Sequence, residues 1–181
     1  MKNERRIQIG VMGSCVDLDY SKKTEEAAEE LGRLIGENLD AVLFFGAEKD
    51  MSSLSQAACR GARRAGGLAV GVTYGKTFDV MENADIVIPT GLDRGGGREF
   101  VLALSCDVII SISGGSGTLN ELAVAYQAGI PMVGLTGFGG WTDKMVKERY
   151  FDGRKRMPIV EAKTPAEAVA TAINLAKNRR G

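Results

Sequence analysis

The sequence predicts an α/β fold, namely one doubly wound, Rossmann-like domain with a parallel sheet covered by helices on both faces. Strand-like and helix-like segments alternate along the 181 residues, and the strand-like runs are apolar without polar alternation. Strands of that kind are typical of parallel sheets that are buried on both faces. Glycine-rich or small-residue loops follow several of these strands, at the sheet edge where such folds bind ligands. The length favours a single domain over residues 1–181.

The first half of the chain predicts three strands and two helices. The strands are the apolar runs at residues 7–12, 41–45 and 68–73. Ser21 can cap a helix that extends to about Asn38, because its hydroxyl accepts hydrogen bonds from first-turn amides. A second helix is predicted for residues 52–65, and Gly66 ends it because glycine readily adopts a left-handed backbone.

The second half of the chain alternates in the same way. Extended segments are predicted at residues 86–89, 108–112, 132–135 and 158–161. Helices are predicted at residues 98–105, 118–128, 142–150 and 165–177. Residues 74–83 are expected to be irregular, and glycine-rich loops are expected at residues 91–97 and 137–140.

The composition excludes several classes of function. The 23 Lys and Arg residues balance the 23 Asp and Glu residues, so no broad positive field would hold a nucleic acid or an anionic membrane. No run approaches the roughly 20 apolar residues of a membrane-spanning helix. The three cysteines lie far apart and form no Cys-x-x-Cys pair, which indicates free thiols in a reducing, cytoplasmic location.

The chain contains no histidine, which removes much chemistry. Ser-His-Asp and Cys-His nucleophiles, histidine zinc ligands and histidine acid–base catalysis are all excluded. Cys15, in the loop after the first strand, is therefore interpreted as an ordinary thiol. Asp17 and Asp19 in the same loop are too sparse to indicate a metal site, and no metal is expected.

The most informative feature is the segment 113–121, which reads Ser-Gly-Gly-Ser-Gly-Thr-Leu-Asn-Glu. It directly follows a buried strand and opens a helical pattern, so backbone N–H groups and the positive end of a helix dipole would face an anion. Glycines suit such a turn because they permit positive φ and the close approach of a ligand. The residues predicted to bind a phosphate group are Gly114, Gly115, Ser116, Gly117 and Thr118.

Other interpretations of this segment are a different nucleotide motif or an empty turn. It lacks the Gly-Lys-Ser/Thr ending of a Walker loop, and no Gly-x-Gly-x-x-Gly follows the first strand. A dinucleotide cofactor is therefore disfavoured. A tight strand-to-helix turn without a ligand is the alternative that stays open.

Two other loops are expected to reach the same ligand. Gly13 and Ser14 follow the first strand, and Gly97 ends a glycine-rich loop before the next helix. The carboxyl ends of parallel strands share one edge of the sheet, so these three residues are predicted to join the phosphate site.

Arg98 and Glu121 are the candidates for chemistry. The Arg98 guanidinium could form two parallel hydrogen bonds with a phosphate, and the alternative is a solvated arginine paired with Glu99 or Asp93. Glu121 stands three residues after Thr118, which matches a capping box, where the carboxylate bonds the start of the helix. It equally suits a general base or a carboxylate that stabilises positive charge on a sugar. Both interpretations of Glu121 stay open.

The segment 113–121 resembles the Pro-Gly-Gly-x-Gly-Thr-x-x-Glu signature of the LOG (Lonely Guy) superfamily, long labelled possible lysine decarboxylases. The order of elements, the chain length and the sequence Gly139-Gly140-Trp141-Thr142 look closer to its molybdenum-cofactor carrier-like branch. The superfamily includes cytokinin-activating nucleoside 5′-monophosphate phosphoribohydrolases, in which an Arg and the Glu of the motif assist cleavage of the N-glycosidic bond. By that resemblance Arg98 and Glu121 would be catalytic. Nothing in the sequence suggests the pyridoxal-phosphate lysine site that a decarboxylase needs.

Three features depart from the superfamily pattern. Ser113 replaces the usual Pro, and Glu99 stands where the hydrolases usually have Lys beside the Arg. The loop after the second strand, residues 46–53, is usually rich in glycine but here has gained two acids, Glu48 and Asp50. The changes at Glu99 and in this loop weaken the analogy to hydrolysis more than they weaken the expectation of ligand binding.

Together these features predict a cytoplasmic binding protein for a phosphorylated small molecule, with a nucleotide or a molybdopterin-type cofactor as the ligand. No further cofactor is expected. The first alternative is a nucleoside 5′-monophosphate phosphoribohydrolase that releases free base and ribose 5-phosphate. The second alternative is a scaffold protein with a vestigial pocket. The resemblance also implies a homo-oligomer, a dimer or larger.

Overall fold

Seven parallel strands form one sheet in the computed structural model, which describes residues 5–94 and 96–180. Gly95 of the predicted loop 91–97, and residues 1–4 and 181 of the predicted domain, lie outside the described residues. The strands are β1 (Ile7–Gly13), β2 (Ala41–Gly46), β3 (Ala69–Thr73), β4 (Ile86–Pro89), β5 (Val108–Ile112), β6 (Met132–Leu135) and β7 (Ile159–Ala162). Their order across the sheet is β4-β3-β2-β1-β5-β6-β7, and each neighbouring pair is parallel.

Helices cover both faces of this sheet. Those in the described part of the chain are α1 (Lys22–Gly36), α2 (Leu54–Arg64), α3 (Gly97–Leu104), α4 (Ser116–Ala128), α5 (Gly140–Glu148) and α6 (Pro165–Arg180). α1, α2 and α6 pack on one face, and α3, α4 and α5 pack on the other. The adjacent residues Ile109 and Ile110 of β5 are fully buried in opposite layers. Each such side chain contributes about 1.5–3 kcal/mol to stability by its burial.

The strand order reverses between β1 and β5. From β1 the chain adds strands outward to β4, and α3 then returns it to the other side of β1, where β5 begins the second half of the sheet. The connections leaving β1 and β5 therefore turn to opposite faces, which opens a crevice at the carboxyl ends of these strands.

The predicted fold class is confirmed, and each predicted strand and helix is present within about three residues of its predicted bounds. The difference that matters most is the start of α4, which lies at Ser116 instead of Thr118. Gly115 is the N-cap residue, so the small residues Ser116 and Gly117 form the first helical turn. Among the described helices, none has the length and apolar character needed to cross a membrane.

Candidate functional site

The candidate site lies at the carboxyl ends of β1, β2 and β5, where the strand order reverses. Ser14 follows β1, Glu48 follows β2, and Gly114 follows β5. β1 pairs with both β2 and β5, so the three loops adjoin one another. Because only three residues separate α4 from β5, its N-terminus lies at this edge of the sheet.

The start of α4 leaves backbone N–H groups without acceptors. Leu119 donates the first helical hydrogen bond, to the Gly115 carbonyl at 3.1 Å. Within the part of the chain that the structure describes, no oxygen accepts a hydrogen bond from the amides of Gly115, Ser116, Gly117 and Thr118. Ser116 and Gly117 are exposed to solvent. An anion at this helix end would meet four donors together with the positive end of the helix dipole.

The Gly114 amide differs from these four, because it donates to Ser14 Oγ at 2.8 Å. The Ser14 hydroxyl in turn donates to Ser113 Oγ at 3.1 Å, and both serines are buried. Ser14 therefore holds the loop after β5 in its shape. In this arrangement the Gly114 amide is used by a hydrogen bond within the protein. The amides that remain for a ligand therefore begin at Gly115.

The three glycines of the segment have different steric surroundings. Gly114 has a φ of +97°, and a Cβ there would lie 2.6 Å from the Thr118 side chain. A Cβ on Gly115 would lie 2.5 Å from Leu18 Cδ1. A Cβ on Gly117 would meet no atom of the described residues within 4 Å. Gly114 therefore shapes the loop, whereas the contact at Gly115 is with the tip of the exposed Leu18 side chain. Gly117 leaves open space beside the free amides.

Gly13 and Gly97, which the sequence also predicts to contact the ligand, lie against protein atoms. A Cβ on Gly13 would lie 2.8 Å from Leu54 Cβ, and one on Gly97 would lie 2.7 Å from Leu92 Cδ1. Close packing explains why both positions are glycine. A ligand contact through their backbone stays a prediction.

Arg98 is buried, with 5% of its surface exposed. Its Nη2 donates to Glu48 Oε1 at 2.8 Å and lies 3.5 Å from Glu99 Oε1. Its Nε is buried without a hydrogen-bond partner among the described residues. Gly46 makes room for the guanidinium, because a Cβ there would lie 2.0 Å from Nη1. The interpretation of Arg98 as a solvated arginine is therefore wrong, although the pairing with Glu99 is present.

Glu48 is the residue of this cluster that sequence reasoning missed. It is 3% exposed, and its Oε2 accepts a hydrogen bond from Arg94 Nη2 at 2.7 Å while its Oε1 accepts one from Arg98. One carboxylate thus bridges two guanidinium groups. The available signal was the acidic loop 46–53 in place of a glycine-rich one, but the sequence did not show which cation the acid would meet.

Glu121 does not form the capping box that its spacing allowed. Because α4 begins at Ser116, Thr118 is already inside the helix, and no side chain caps its N-terminus. Glu121 is 6% exposed, and burial raises its pKa to about 8. Arg98 lowers this pKa, whereas Glu99 and Glu48 raise it further. The structure thus brings Glu121 and Arg98 into one electrostatic cluster, with the Glu121 carboxyl mostly protonated at neutral pH.

Glu99 is a helix cap, but at the start of α3 and not of α4. Its Oε2 accepts a hydrogen bond from the Gly96 amide at 2.8 Å, at the start of α3. The negative charge that departs from the superfamily pattern is therefore buried as a helix cap beside Arg98. Such a charge at a helix N-terminus is stabilised by the helix dipole.

Cys15 lies in the loop after β1, where the negative charge of Glu48 affects the pKa of its thiol. Burial is the main cause that raises the pKa of the Cys15 thiol to about 11, and Glu48 raises it as well. The thiol therefore stays protonated at neutral pH, which agrees with its interpretation as an ordinary thiol. Across the described residues, no three His, Cys, Asp or Glu side chains are grouped so that they could hold a metal ion.

The N-terminus of α5 supports the loop after β5 from behind. The Trp141 amide donates to the Gly114 carbonyl and the Thr142 amide to the Ser113 carbonyl, both at 2.9 Å. Gly140 has a φ of +66°, and a Cβ there would lie 2.4 Å from the Ser113 carbonyl carbon. These contacts fix the carbonyl side of the loop, so its free amides keep their direction.

The sequence profile of the SLOG cluster4 family matches residues 6–169. The chain belongs to that family. It is thus a member of the LOG superfamily near the molybdenum-cofactor carrier branch, as the resemblance implied.

Two solved structures and one curated protein are similar to this SLOG cluster4 protein. The molybdenum cofactor carrier protein of Chlamydomonas reinhardtii is 30% identical with a TM-score of 0.79, covering 96% of this chain and 99% of that one. The molybdenum cofactor binding protein of Rippkaea orientalis is 28% identical with a TM-score of 0.73, covering 98% and 99%. A probable cytokinin riboside 5′-monophosphate phosphoribohydrolase of Oryza sativa subsp. japonica is 30% identical over 159 residues. That match covers 81% of this chain but only 62% of the rice protein.

Proposed function

We propose that this protein binds a small phosphorylated molecule and holds its phosphate group on the first-turn amides of α4. The observation that carries the proposal is the set of four amides, Gly115 to Thr118, for which the described residues supply no acceptor. Hydrogen bonds to a charged acceptor contribute about 1.5–3 kcal/mol each, so these donors can hold a phosphate without Arg98. The open space beside Gly117 gives the phosphate access.

The relatives support a nucleotide or a molybdopterin-type cofactor as the rest of the ligand. Two similar structures carry the names of molybdenum cofactor carrier and binding proteins and match nearly the whole chain. The rice relative is named as a hydrolase of a riboside 5′-monophosphate. Both ligand classes carry a phosphate monoester, which is the group that the amides of α4 suit.

The second candidate function is hydrolysis of a nucleoside 5′-monophosphate to free base and ribose 5-phosphate. The proximity of Glu121 and Arg98 favours it, because a carboxylate can stabilise the oxocarbenium-like state of N-glycosidic cleavage. The arrangement of this chain favours binding over cleavage. Glu121 is mostly protonated at neutral pH, and Arg98 is held by Glu48.

One experiment separates these functions. The protein is incubated with a panel of nucleoside monophosphates and with molybdopterin; binding is measured by calorimetry and free base by chromatography. Base release that Glu121→Ala abolishes would establish the hydrolase. Saturable binding without base release would establish the carrier, and neither binding nor release would leave the scaffold with a vestigial pocket.

Gly117→Asp tests the location of the phosphate. The new side chain would enter the open space at the start of α4 and place a negative charge there, so we expect binding to be lost. Gly153→Asp is the matched control, because Gly153 is also exposed, with no described atom within 4 Å of its Cβ position. Equal binding by both variants would place the phosphate elsewhere.

A further inference from the structure

We propose that the edge of the sheet opposite the candidate site is a docking surface for an acidic segment of another protein. This amino edge holds the first residues of the strands and the last turns of the helices. Around the starts of β1 and β7, arginine and lysine side chains outnumber acids, although the whole sequence has a net charge of zero. Docking at the amino edge does not depend on the proposed function, because the phosphate site lies at the carboxyl ends of the strands.

The first basic group lies where the chain enters β1 and where α6 ends. Because all strands of the sheet run in one direction, the segments that enter them meet at one edge, together with the ends of the returning helices. Arg6 directly precedes β1, and Lys177 and Arg179 lie in the last turn of α6. Arg180 joins the two ends, because its Nη1 donates to the Arg5 carbonyl at 2.8 Å.

The second basic group is the loop between α5 and β7, residues 149–158. The Ile159 amide donates to the Arg149 carbonyl at 3.0 Å, so both ends of this loop lie at the start of β7. Local contacts account for two of its cations, because Arg154 pairs with Asp152 and Arg156 donates to the main chain at the end of α4. The side chain of Lys155 has no such partner among the described residues.

Most of these cations have no acid beside them. Within residues 5–94 and 96–180, no carboxylate oxygen lies within 4 Å of the side-chain nitrogens of six exposed residues, namely Arg6, Arg149, Lys155, Arg156, Lys177 and Arg179. The acids paired within the two groups are Asp107 and Asp152. Exposed charges of one sign repel one another, and a partner of opposite charge relieves that repulsion.

The first basic group is already built around a carboxylate. A cavity of about 400 Å³ lies between Arg5, Arg179, Arg180 and Asp107. Arg5 donates to the two Asp107 oxygens at 2.7 and 2.8 Å, and Arg180 donates to the same carboxylate. Arg179 contacts only the Asp107 main-chain carbonyl, at 3.4 Å. Its planar guanidinium is therefore available to a second carboxylate, which would come from the partner.

The acids between the cations favour a protein over a nucleic acid. Exposed Glu148 lies at the end of α5, and Asp152 lies within the second basic group. A nucleic-acid backbone carries one negative charge per about 1.7 Å of duplex, so part of it would face these acids. An acidic protein segment can place its carboxylates opposite the cations and uncharged residues opposite the acids.

Binding of a fluorescein-labelled decapeptide of glutamate, measured by fluorescence anisotropy at low ionic strength, tests this surface. We expect saturable binding that weakens as salt is added, because exposed charges are screened. The double variant Lys155→Gln with Lys177→Gln removes one uncompensated cation from each basic group. It should lower the affinity for the peptide about fivefold.

The double variant Lys23→Gln with Lys76→Gln is the matched control. These two lysines are also exposed and without an acid within 4 Å among the described residues, but they follow or precede the carboxyl ends of strands. The control changes the net charge by the same amount, and we expect it to change the affinity less than twofold. All four side chains are exposed, so thermal unfolding should show that both double variants fold as the wild-type protein does.

Each other outcome would overturn the docking surface. Equal effects of the two double variants would show that net charge, not the amino edge, holds the peptide. A single-stranded DNA decamer that binds more tightly than the peptide would mark a nucleic-acid surface, and binding only to phosphatidylserine vesicles would mark a membrane surface. No binding of the peptide by the wild-type protein would also refute it. Gly117→Asp separates the two proposals, because it should lose phosphate but keep the peptide; loss of the peptide would place it at the phosphate site instead.

Discussion

Ser113 has a φ of +55°, a backbone conformation that proline cannot adopt. The LOG signature usually has Pro at this position, so the loop after β5 enters its turn differently here. We expect Ser113→Pro to lower the free energy of unfolding by more than about 1 kcal/mol, because the ring would force φ towards −65°. It should also abolish phosphate binding, since the amides of residues 115–118 would change direction. Urea unfolding and phosphate titration measure the two effects.

Ser113→Gly is the control for that substitution. Glycine adopts a positive φ without strain and loses only the hydrogen bond that Ser14 donates to Ser113 Oγ. We therefore expect Ser113→Gly to destabilise the protein less than Ser113→Pro does, and its phosphate binding to persist. If Ser113→Pro binds phosphate as well as Ser113→Gly does, the left-handed conformation of Ser113 is not needed at this site.

Glu121 should make the stability depend on pH. Its pKa is raised from the ordinary value of 4.5 to about 8 in the folded protein, mainly by burial. The folded state therefore holds this proton more tightly than the unfolded state, and the free energy of unfolding should fall as the pH rises from about 4.5 through 8. We expect Glu121→Gln to lose this dependence, so that its stability relative to wild type increases with pH. Urea unfolding at several pH values across that window measures the difference.

Glu26→Gln is the matched control for the titration of Glu121. The Glu26 side chain is 67% exposed, so the same substitution there should leave the pH profile parallel to that of wild type. A Glu121→Gln profile that is also parallel to wild type would show that burial does not hold the Glu121 proton.

Glu48 shows why part of the site could not be predicted from the sequence. Arg98 and Glu121 stand out locally, because one follows a glycine loop and the other closes a recognisable motif. The partner of Arg98 lies 50 residues earlier in the chain, in a loop without periodicity. Only the fold brings the ends of β2 and α3 together, so this ion pair left no local signal.

At the scale of elements, α4 and α5 cooperate through the loop after β5. The amides of Trp141 and Thr142 at the start of α5 donate to the carbonyls of that loop, while its own amides face outward at the start of α4. Two helix N-termini thus converge on one short segment from opposite sides. The capping-box spacing predicted that α4 begins at Thr118, but the helix begins at Ser116. The spacing does not reveal that Gly115 serves as the N-cap residue.

Gly140→Ala tests this support. A Cβ at Gly140 would overlap the Ser113 carbonyl group, and the backbone there has a positive φ. We expect the substitution to destabilise the protein by more than the roughly 1–2 kcal/mol of a left-handed residue alone, and to weaken phosphate binding. Chemical denaturation and phosphate titration measure the two effects.

Gly137→Ala is the control in the same loop. Gly137 also has a positive φ, +95°, but no described atom lies within 4 Å of its Cβ position. Gly137→Ala should lower the free energy of unfolding through its backbone conformation alone and leave phosphate binding unchanged. If Gly140→Ala and Gly137→Ala have equal effects, the contact between α5 and the loop does not position the amides.

At the scale of the whole molecule, the fold was predictable because burial leaves a signal in each segment. The continuous apolar runs of β1, β2 and β5 indicate a sheet covered on both faces, and the structure buries them in two layers. The order of the strands has no such local signal, because it depends on which distant segments pair. The place where the order reverses, and hence the location of the site, became visible only with the fold.

The same sheet leaves apolar side chains uncovered near one edge, which bears on the expected homo-oligomer. In β4, Ile86 and Ile88 pair in register with Val70 and Val72, so they face the layer that contains α3. They are 55% and 36% exposed, and Phe100 and Leu104 on α3 are 50% and 56% exposed. Exposed apolar patches are typical of interaction surfaces, including those between protein chains. We therefore expect a second copy of this chain to cover α3 and β4.

The double variant Phe100→Glu with Leu104→Glu tests this surface. Four negative charges would face each other in a two-fold interface, so the variant should elute as a monomer where the wild-type protein is a dimer or larger. Size-exclusion chromatography with light scattering measures the mass. Leu39→Glu is the control, because Leu39 is 82% exposed in the turn between α1 and β2 and should leave the assembly unchanged. A wild-type monomer, or a double variant that keeps the wild-type mass, would show that α3 and β4 do not form the interface.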